Sequence, residues 1–208
     1  MNKLVSKKFA VAASTVLIAT AAAFFVGTRT GSALANNANA AAAVNFKIDP
    51  AHAFVMFKVG HLGVGTAWGM IKDPTGTLTL APDALTINLE LDIAKMDSAN
   101  AKRDEHLQGP DFFNAAQFPK ATFKSTSSKP LENGNFEVTG DFTIRDVTKS
   151  VTVTLNKVGE KDLGQRFGYR AGFDTQFNIN RFDYGVSYMP DGLGKDVTIF
   201  VSIEAIRE

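Results

Sequence analysis

The histidines are the side chains in this sequence that could most readily bind a metal or act as a catalytic acid or base. The chain has three histidines, His52, His61 and His106, and no cysteine. Three imidazoles can complete a zinc site or supply the acid and base of an enzyme. However, no HExxH or HxH motif occurs, and the spacing of nine between His52 and His61 tends to place them on opposite faces of a strand. A histidine-dependent enzyme or metal protein is therefore an alternative hypothesis, not the favoured one.

Three polar residues lie close together on a segment that is predicted to be helical. Arg103, Asp104 and His106 fall between Ser98 and Gln108, where helix-tolerant residues precede a Gly-Pro stop. The simpler interpretation is a helix held to the domain by an ion pair and a leucine anchor, because Arg103 and the leucine four residues later share a face. The functional interpretation is that Arg103 or His106 binds a polar or anionic group of a ligand.

Sequence motifs of the common enzyme classes are missing. The sequence contains neither the GxSxG nucleophile elbow nor the GxxxxGK[ST] phosphate loop. The nearest approach to GxGxxG begins at Gly63, but Trp68 occupies the place of the third glycine. No Ser/His/Asp set is singled out by its spacing. We therefore expect no catalytic residue, no cofactor and no metal.

The N-terminal segment has the pattern of an export signal. Residues 1–35 begin with three lysines, continue with the apolar run 9–26, and end in Ala-Leu-Ala, a small-residue cleavage pattern. An uncleaved membrane anchor is the alternative, since a run of 18 residues is barely enough to span a bilayer. Residues 36–43 contain only Asn and Ala and are predicted to be a disordered lead-in. This leaves 44–208 as one domain of a periplasmic or secreted protein.

The composition of the mature chain excludes several classes of protein. The formal charge is +1, and removing the signal takes away four basic residues and no acids, so the mature charge is 1 − 4 = −3. A mildly acidic surface without a basic block makes nucleic acid an unsuitable partner. An exported domain without cysteine has to be stabilised by its core alone. Of the 17 phenylalanines, 14 lie beyond the signal and can supply that core.

An alternation of apolar and polar residues dominates the mature chain and predicts β-strands. The clearest strands are predicted at Leu85–Ile93, Phe136–Ile144, Val151–Leu155, Phe167–Ile179 and Val197–Ile203, with weaker ones at Phe46–Val59, Thr66–Lys72, Gly76–Leu80 and Thr122–Ser127. Short turns between them make neighbouring strands antiparallel. Eight or nine such strands with one helix fit a sandwich or a barrel, and their length favours the barrel.

Several segments, in order, resemble the YceI-like family of polyisoprenoid-binding periplasmic proteins. The matching segments are Asp49-Pro50-Ala51-His52 with a short apolar strand up to His61, Arg103-Asp104-Glu105-His106-Leu107, Phe112-Phe113 with Phe118-Pro119, Gly140 to Lys149, and Asn180-Arg181-Phe182-Asp183-Tyr184-Gly185. The order of the motifs across the whole mature domain makes the resemblance specific. Two departures are Ala53, where the family has serine, and Asp146, where it has glycine.

The resemblance implies an all-β fold, an extended antiparallel lipocalin-like β-barrel of about eight strands with a short helical insertion. It also implies an interior that holds a polyisoprenoid, an isoprenoid quinone or a similar long-chain amphiphile for storage or transport. Contact with the membrane would then be transient, and the protein a monomer or homodimer.

Candidate ligand contacts follow from these interpretations. The residues predicted to line the interior are Phe54, Phe57, Trp68, Ile87, Leu89, Phe123, Phe142, Phe173 and Phe177. They are plain core residues if side chains fill the interior, and a structural barrel with a filled core is the remaining alternative. His61, Arg103, Asp104 and His106 are predicted at the barrel mouth, where a ligand head group would lie.

Overall fold

The computed structural model describes residues 42–208, which form eleven strands and one α-helix. The strands are β1 (Val44–Ile48), β2 (Phe54–His61), β3 (Gly65–Ile71), β4 (Thr75–Leu80), β5 (Leu85–Asp92), β6 (Met96–Asp97), β7 (Lys120–Pro130), β8 (Phe136–Ile144), β9 (Val147–Asp162), β10 (Tyr169–Asn180) and β11 (Leu193–Arg207); the helix α1 is Ala101–Gln108. The predicted signal peptide and almost all of the predicted lead-in lie outside the described residues, and those predictions stay untested.

The strands close into an antiparallel barrel. The strand order around the barrel is β1-β4-β5-β7-β8-β9-β10-β11, and β11 pairs with β1 to close it, which gives eight strand positions. Three of these eight positions are each occupied by two successive strands, since β2 continues β1, β3 precedes β4, and β6 continues β5. In one part of the wall β1 pairs with β4 and β4 with β5; in the other, β2 pairs with β3 and β3 with β6. The helix is inserted between β6 and β7. The prediction of an all-β barrel of about eight strands with a helical insertion is therefore confirmed.

Several predicted strand boundaries are wrong: β7, β9 and β11 extend beyond the predicted strands at both ends, and two further boundaries differ for local reasons. The segment Phe46–Val59 was expected to be one strand, but a 3₁₀ turn at Pro50–His52 divides it into β1 and β2. Proline cannot donate to a ladder, and the Asp49 carboxylate accepts a hydrogen bond from the Ala51 amide, 3.1 Å away, which caps the turn. At the other boundary, β10 begins at Tyr169 because the preceding Gly168 has φ +71° and ends the hairpin turn.

The two ends of the barrel differ in how they are filled. One end is closed by side chains that are at most 2% exposed, namely Phe46, Leu78, Leu85, Val138 and Phe173. The opposite end carries α1, the β2–β3 hairpin turn, and the connection between β10 and β11, which begins with a 3₁₀ turn at Arg181–Tyr184. This second end is called the mouth below.

The barrel wall has an unpaired stretch in its mouth half, between β9 and β10, which is called the seam below; a shorter one lies at the closed end, where the amides of Leu85 and Ile87 donate to serine hydroxyls of β7. These strands pair from Tyr169 opposite Asp162 to Asp174 opposite Asn156, with a β-bulge beside Gly172. Nearer the mouth, β9 continues to pair with β8, and β10 continues to pair with β11, but the two strands share no ladder. The seam is thus a stretch of wall in which two adjacent strands share no backbone ladder.

A charged network beside the β1–β2 break gives the first prediction. The Asp49 carboxylate lies 2.9 Å from His52 Nδ1 and 2.8 Å from Arg170 Nη1, which also bonds Glu204 at 2.7 Å. Hydrogen bonds from His52 and Arg170 hold the pKa of Asp49 below its usual range. A depressed carboxyl pKa contributes stability above the unfolded-state pKa and loses it as the pH falls through the folded-state pKa.

We expect Asp49→Asn to lower the free energy of unfolding at neutral pH by about 1–3 kcal/mol, because Arg170 loses an ionised partner in a half-buried site. The difference from the native protein should shrink as the pH falls below about 4, where the carboxylate of the unfolded chain takes up a proton, and vanish below the lowered pKa of the native carboxylate. Urea unfolding across this pH range measures both effects. Asp73→Asn is the control, since its pair with Lys95 is exposed and should contribute less than about 1 kcal/mol. A pH-independent difference would contradict the assignment.

Candidate functional site

A cavity of about 570 Å³ occupies the mouth half of the barrel. Its wall is made by residues of β2, β3, β5, β7, β8, β9, β10 and β11 together with the helix and the β10–β11 connection, and most of them are apolar. The volume is within the range of small-molecule sites. The interior is therefore filled at one end and open at the other, which contradicts the alternative of a wholly filled core.

Two glycines help to keep this space open. A β-carbon on Gly69 would lie 2.3 Å from Cζ of Phe57, and one on Gly140 would lie 2.5 Å from Cζ of Phe123. The tip of each ring thus occupies the space that a side chain on the glycine of the neighbouring strand would fill. The two phenylalanines coat the wall of the cavity because their neighbours have no side chains.

The structure places seven of the nine predicted lining residues on the cavity wall. These are Phe57, Trp68, Ile87, Leu89, Phe123, Phe142 and Phe177. The Trp68 ring also stacks on Phe200, with centroids 5.6 Å apart, and the Lys58 amine lies 5.5 Å above it. Trp68 pairs with Lys58, an outward position of β2, and is 46% exposed, so its ring lies on the outer face although the residue borders the cavity, which corrects the prediction for Trp68. Whether any of these residues binds a ligand stays a prediction.

Phe54 and Phe173 lie elsewhere, which corrects the prediction for both. Phe54 is 47% exposed on the outer face, because side chains alternate along β2 and the inward positions are Val55 and Phe57. Phe54 and Phe57 are three residues apart and cannot face the same side of a regular strand. Phe173 does point inward, but it is fully buried in the closed end and does not border the cavity.

The predicted mouth residues divide in a similar way. His61, Arg103 and His106 border the cavity, whereas Asp104 does not. Asp104 instead accepts hydrogen bonds from the amide and hydroxyl of Ser98, at 2.7 and 2.5 Å. The helix is thereby fixed to the strand before it.

Arg103 and His106 present polar groups toward the opening. Arg103 donates from Nε to the Ser98 hydroxyl at 2.8 Å and from Nη2 to the Ser98 carbonyl at 2.5 Å. His106 Nε2 lies 2.9 Å from a carboxylate oxygen of Asp111, and its ring meets the edges of Phe112 and Tyr188. The helix is therefore held through Ser98 and by the predicted leucine anchor, Leu107, which packs against the core, whereas Arg103 bonds Ser98 in place of the predicted ion pair. Its polar side chains rim an apolar space.

Arg181 is the principal residue of the mouth that sequence reasoning missed as a site residue. It is 5% exposed, borders the cavity, and stacks on Phe182 at 4.6 Å. Its guanidinium donates to backbone carbonyls of the β10–β11 connection and of β11, namely those of Val186, Tyr188, Met189, Leu193 and Gly194, at 2.7 to 3.5 Å. Burial lowers its pKa. Its place in the resemblance motif was visible, but nothing in the sequence indicated these carbonyl partners.

Tyr184 closes the inner side of the same connection. It is 2% exposed, and its ring lies 5.7 Å from that of Phe142, which in turn meets Phe177 at 6.0 Å. Burial raises the pKa of the Tyr184 phenol, so the group is neutral at physiological pH. The aromatic residues of this cluster form an uncharged wall next to the seam.

The histidines do not form a metal site within residues 42–208, where no three His, Asp or Glu side chains are close enough to hold an ion. His52 is bonded to Asp49, while His61 and His106 border the mouth. In the same part of the chain, no helix has the length and apolar character needed to cross a membrane. The arrangement offers shape, apolar surface and a polar rim to a ligand.

Comparison with known sequences gives one family. The model of the YceI-like domain matches residues 46–205. Protein YceI of Escherichia coli O157:H7 is 35% identical over 177 residues, which cover 83% of this chain and 92% of that protein. A UPF0312 protein of Azotobacter vinelandii is 35% identical over 184 residues, which cover 86% of this chain and 94% of the relative.

Solved structures show the same fold. BcnA of Burkholderia cenocepacia superposes with a TM-score of 0.68 at 21% identity, over 76% of this chain and 98% of that one. The YCEI protein of Campylobacter jejuni superposes with a TM-score of 0.64 at 26% identity, over 71% of this chain and 88% of that one. A polyisoprenoid binding domain from Saccharophagus degradans superposes with a TM-score of 0.63 at 10% identity, over 79% of this chain and 99% of that one.

Proposed function

We propose, from the premise that this chain belongs to the YceI-like domain family, that it is a non-enzymatic carrier of one long-chain, mainly apolar molecule. The class we propose is a polyisoprenoid, an isoprenoid quinone or a similar amphiphile. The observation that carries the proposal is the apolar cavity of about 570 Å³ inside a closed barrel. Burial of each methylene there would contribute about 0.8 kcal/mol.

The polar rim supports the idea that one end of the ligand stays at the mouth. His61, Arg103 and His106 border the opening, and the buried charge of Arg181 lies behind them. A ligand with a charged head that enters tail first would place that head among these groups, where a guanidinium and imidazoles can donate hydrogen bonds. The Saccharophagus degradans neighbour, described as binding polyisoprenoid, is consistent with this class.

The test is direct detection of the ligand. We would purify the mature domain, record native mass spectra, and identify organic extracts by mass spectrometry. The expected result is one long-chain lipid for each protein molecule, or saturable uptake of an added isoprenoid such as farnesol. An empty barrel that takes up no long-chain lipid would contradict the proposal.

Apolar residues around the mouth support transient contact with a membrane during loading. Leu62 and Val64, at the tip of the β2–β3 hairpin, are 53% and 88% exposed, and Tyr188 and Met189 are 41% and 37% exposed. The Leu62 amide donates to the Gly192 carbonyl at 2.7 Å, so the hairpin and the β10–β11 connection form one surface. Aromatic and aliphatic residues of this kind insert at the lipid interface.

We expect the double variant Leu62→Ser/Val64→Ser to bind neutral phosphatidylcholine vesicles roughly tenfold more weakly, because it removes two aliphatic side chains from the lipid contact. Vesicle flotation measures the change. The control is Leu131→Ser/Leu163→Ser, which alters two exposed leucines at the closed end, 39% and 44% exposed. Equal losses in both double variants would mean that the mouth has no special role in membrane contact.

Export to the periplasm or the exterior is the setting we propose for this carrier. It rests on the lysines, apolar run and Ala-Leu-Ala pattern of residues 1–35. Cell fractionation followed by N-terminal sequencing tests it. Recovery of a mature protein that begins near residue 36 from the periplasmic fraction is the expected result, and retention of residues 1–35 in the membrane fraction would indicate an anchor instead.

A further inference from the structure

The seam between β9 and β10 brings one polar residue into an apolar place. Thr175 is the first residue of β10 beyond the last pair with β9, which is Asp174 opposite Asn156. Its side chain points inward, between Phe173 and Phe177 in the alternation of the strand, and it borders the cavity.

The Thr175 hydroxyl has no partner in the described part of the chain. The residue is 7% exposed, so it is more than nine-tenths buried, and its Oγ1 makes no hydrogen bond. A buried hydroxyl without a partner has lost its hydration and gained nothing in return. Valine has almost the same shape and would avoid this cost, so the hydroxyl is a destabilising choice for the protein without a ligand.

We propose that Thr175 is a ligand-contacting residue that receives a neutral oxygen, of a hydroxyl or carbonyl group, on the part of the ligand that reaches deepest into the cavity. The inference rests on the proposed function and specifies the substrate class further: the lipid is not a plain hydrocarbon at its inner end. A threonine hydroxyl both donates and accepts, so it can pair with either kind of oxygen. Rotation about χ1 exchanges the hydroxyl and the methyl between staggered positions.

The oxygen has to be neutral because of what surrounds Thr175. The inward neighbours in this part of the cavity are apolar, with Val153, Leu155 and Val201 among them. A second pocket that Thr175 borders is lined partly by polar groups, but the one charged residue among them is an acid, Asp174, which would repel an anion. The cationic side chains lie at the mouth, and five residues of strand, roughly 17 Å, separate Thr175 from Asn180 at the end of β10. An anionic group would be desolvated there without a counter-charge. Charged head groups therefore belong at the mouth and uncharged oxygens at Thr175.

The experiment compares two probes of one carbon skeleton, geranylgeraniol and the hydrocarbon that lacks its hydroxyl. We expect Thr175→Val to weaken binding of the alcohol by roughly tenfold and to leave binding of the hydrocarbon unchanged or tighter. Thr175→Ser keeps the hydroxyl and should keep the preference for the alcohol. Titration monitored by native mass spectrometry or by displacement of a fluorescent fatty acid gives both affinities.

Stability provides a second readout. Without ligand, Thr175→Val should unfold at the same or a higher temperature than the native protein, because it deletes an unpartnered hydroxyl without creating a cavity. If Thr175→Val changed the affinities for the alcohol and the hydrocarbon equally, or changed neither, the role of Thr175 would be overturned and the carrier function would stand. If the native protein binds neither these probes nor any other long-chain lipid, the proposed function fails instead.

Discussion

Arg181→Met is expected to destabilise the protein by about 3 kcal/mol and to release the connection between β10 and β11 from the mouth. The native guanidinium donates hydrogen bonds to five carbonyls and has 5% of its surface exposed. Methionine fills much of the same volume but leaves those carbonyls without a donor. Each unsatisfied buried group costs about 1–3 kcal/mol, and relaxation of the connection into water recovers part of the sum.

Urea unfolding measures the loss of stability, and hydrogen exchange of residues 186–194 measures the release. Arg145→Met is the matched control, since this arginine also lies at the mouth but its guanidinium makes one hydrogen bond, from Nη1 to the Gly185 carbonyl at 2.8 Å. We expect a loss below about 1.5 kcal/mol for the control. If Arg181→Met cost no more than the control, the connection would be held by its apolar contacts rather than by the arginine.

The second large effect is expected when the cavity is filled from within. Ala67 points inward from β3, next to Val59 of β2, and borders the cavity near its mouth. A tryptophan at this position would occupy space that the ligand tail needs. If the indole displaces about three methylenes of the ligand, the loss is about 2.4 kcal/mol, or roughly 50-fold in affinity.

Titration of Ala67→Trp with farnesol or a fluorescent fatty acid measures this loss. The same substitution at Thr86, which is exposed on the outer face of β5, serves as the control and should leave affinity unchanged. Thermal unfolding checks that both variants fold. Undiminished binding by a folded Ala67→Trp protein would place the ligand outside the barrel.

Much of the fold could be predicted because alternation is a local property. The predicted strand Phe136–Ile144 coincides with β8, where every second residue is apolar without interruption. The prediction failed at Phe46–Val59, where apolar residues occur on both sides of a proline and the period is ambiguous. The same ambiguity put Phe54 on the wrong face. Errors of strand register thus arose where local chemistry competed with the pattern.

The site was harder to predict because it depends on long-range packing. The cavity exists where inward side chains fail to meet, and the close approach of Phe57 to Gly69 and of Phe123 to Gly140 joins residues from different strands. Arg181 was visible only as part of a motif, and its carbonyl partners lie on the following connection and strand. Thr175 is one polar residue among the apolar inward positions of β10. Neither burial nor missing partners can be derived from such local patterns.

The seam gives the mouth half of the barrel a mechanical property that a fully paired wall lacks. Widening a paired wall breaks ladder hydrogen bonds, but β9 and β10 share none above Asp174, so they can separate there without that cost. The paired segment of β9 and β10, toward the closed end, keeps the two strands together, and the bulge beside Gly172 is where β9 and β10 can bend apart. The cross-section of the container should therefore adjust to chains of different thickness, such as a methyl-branched isoprenoid and a straight fatty acid, at nearly equal elastic energy.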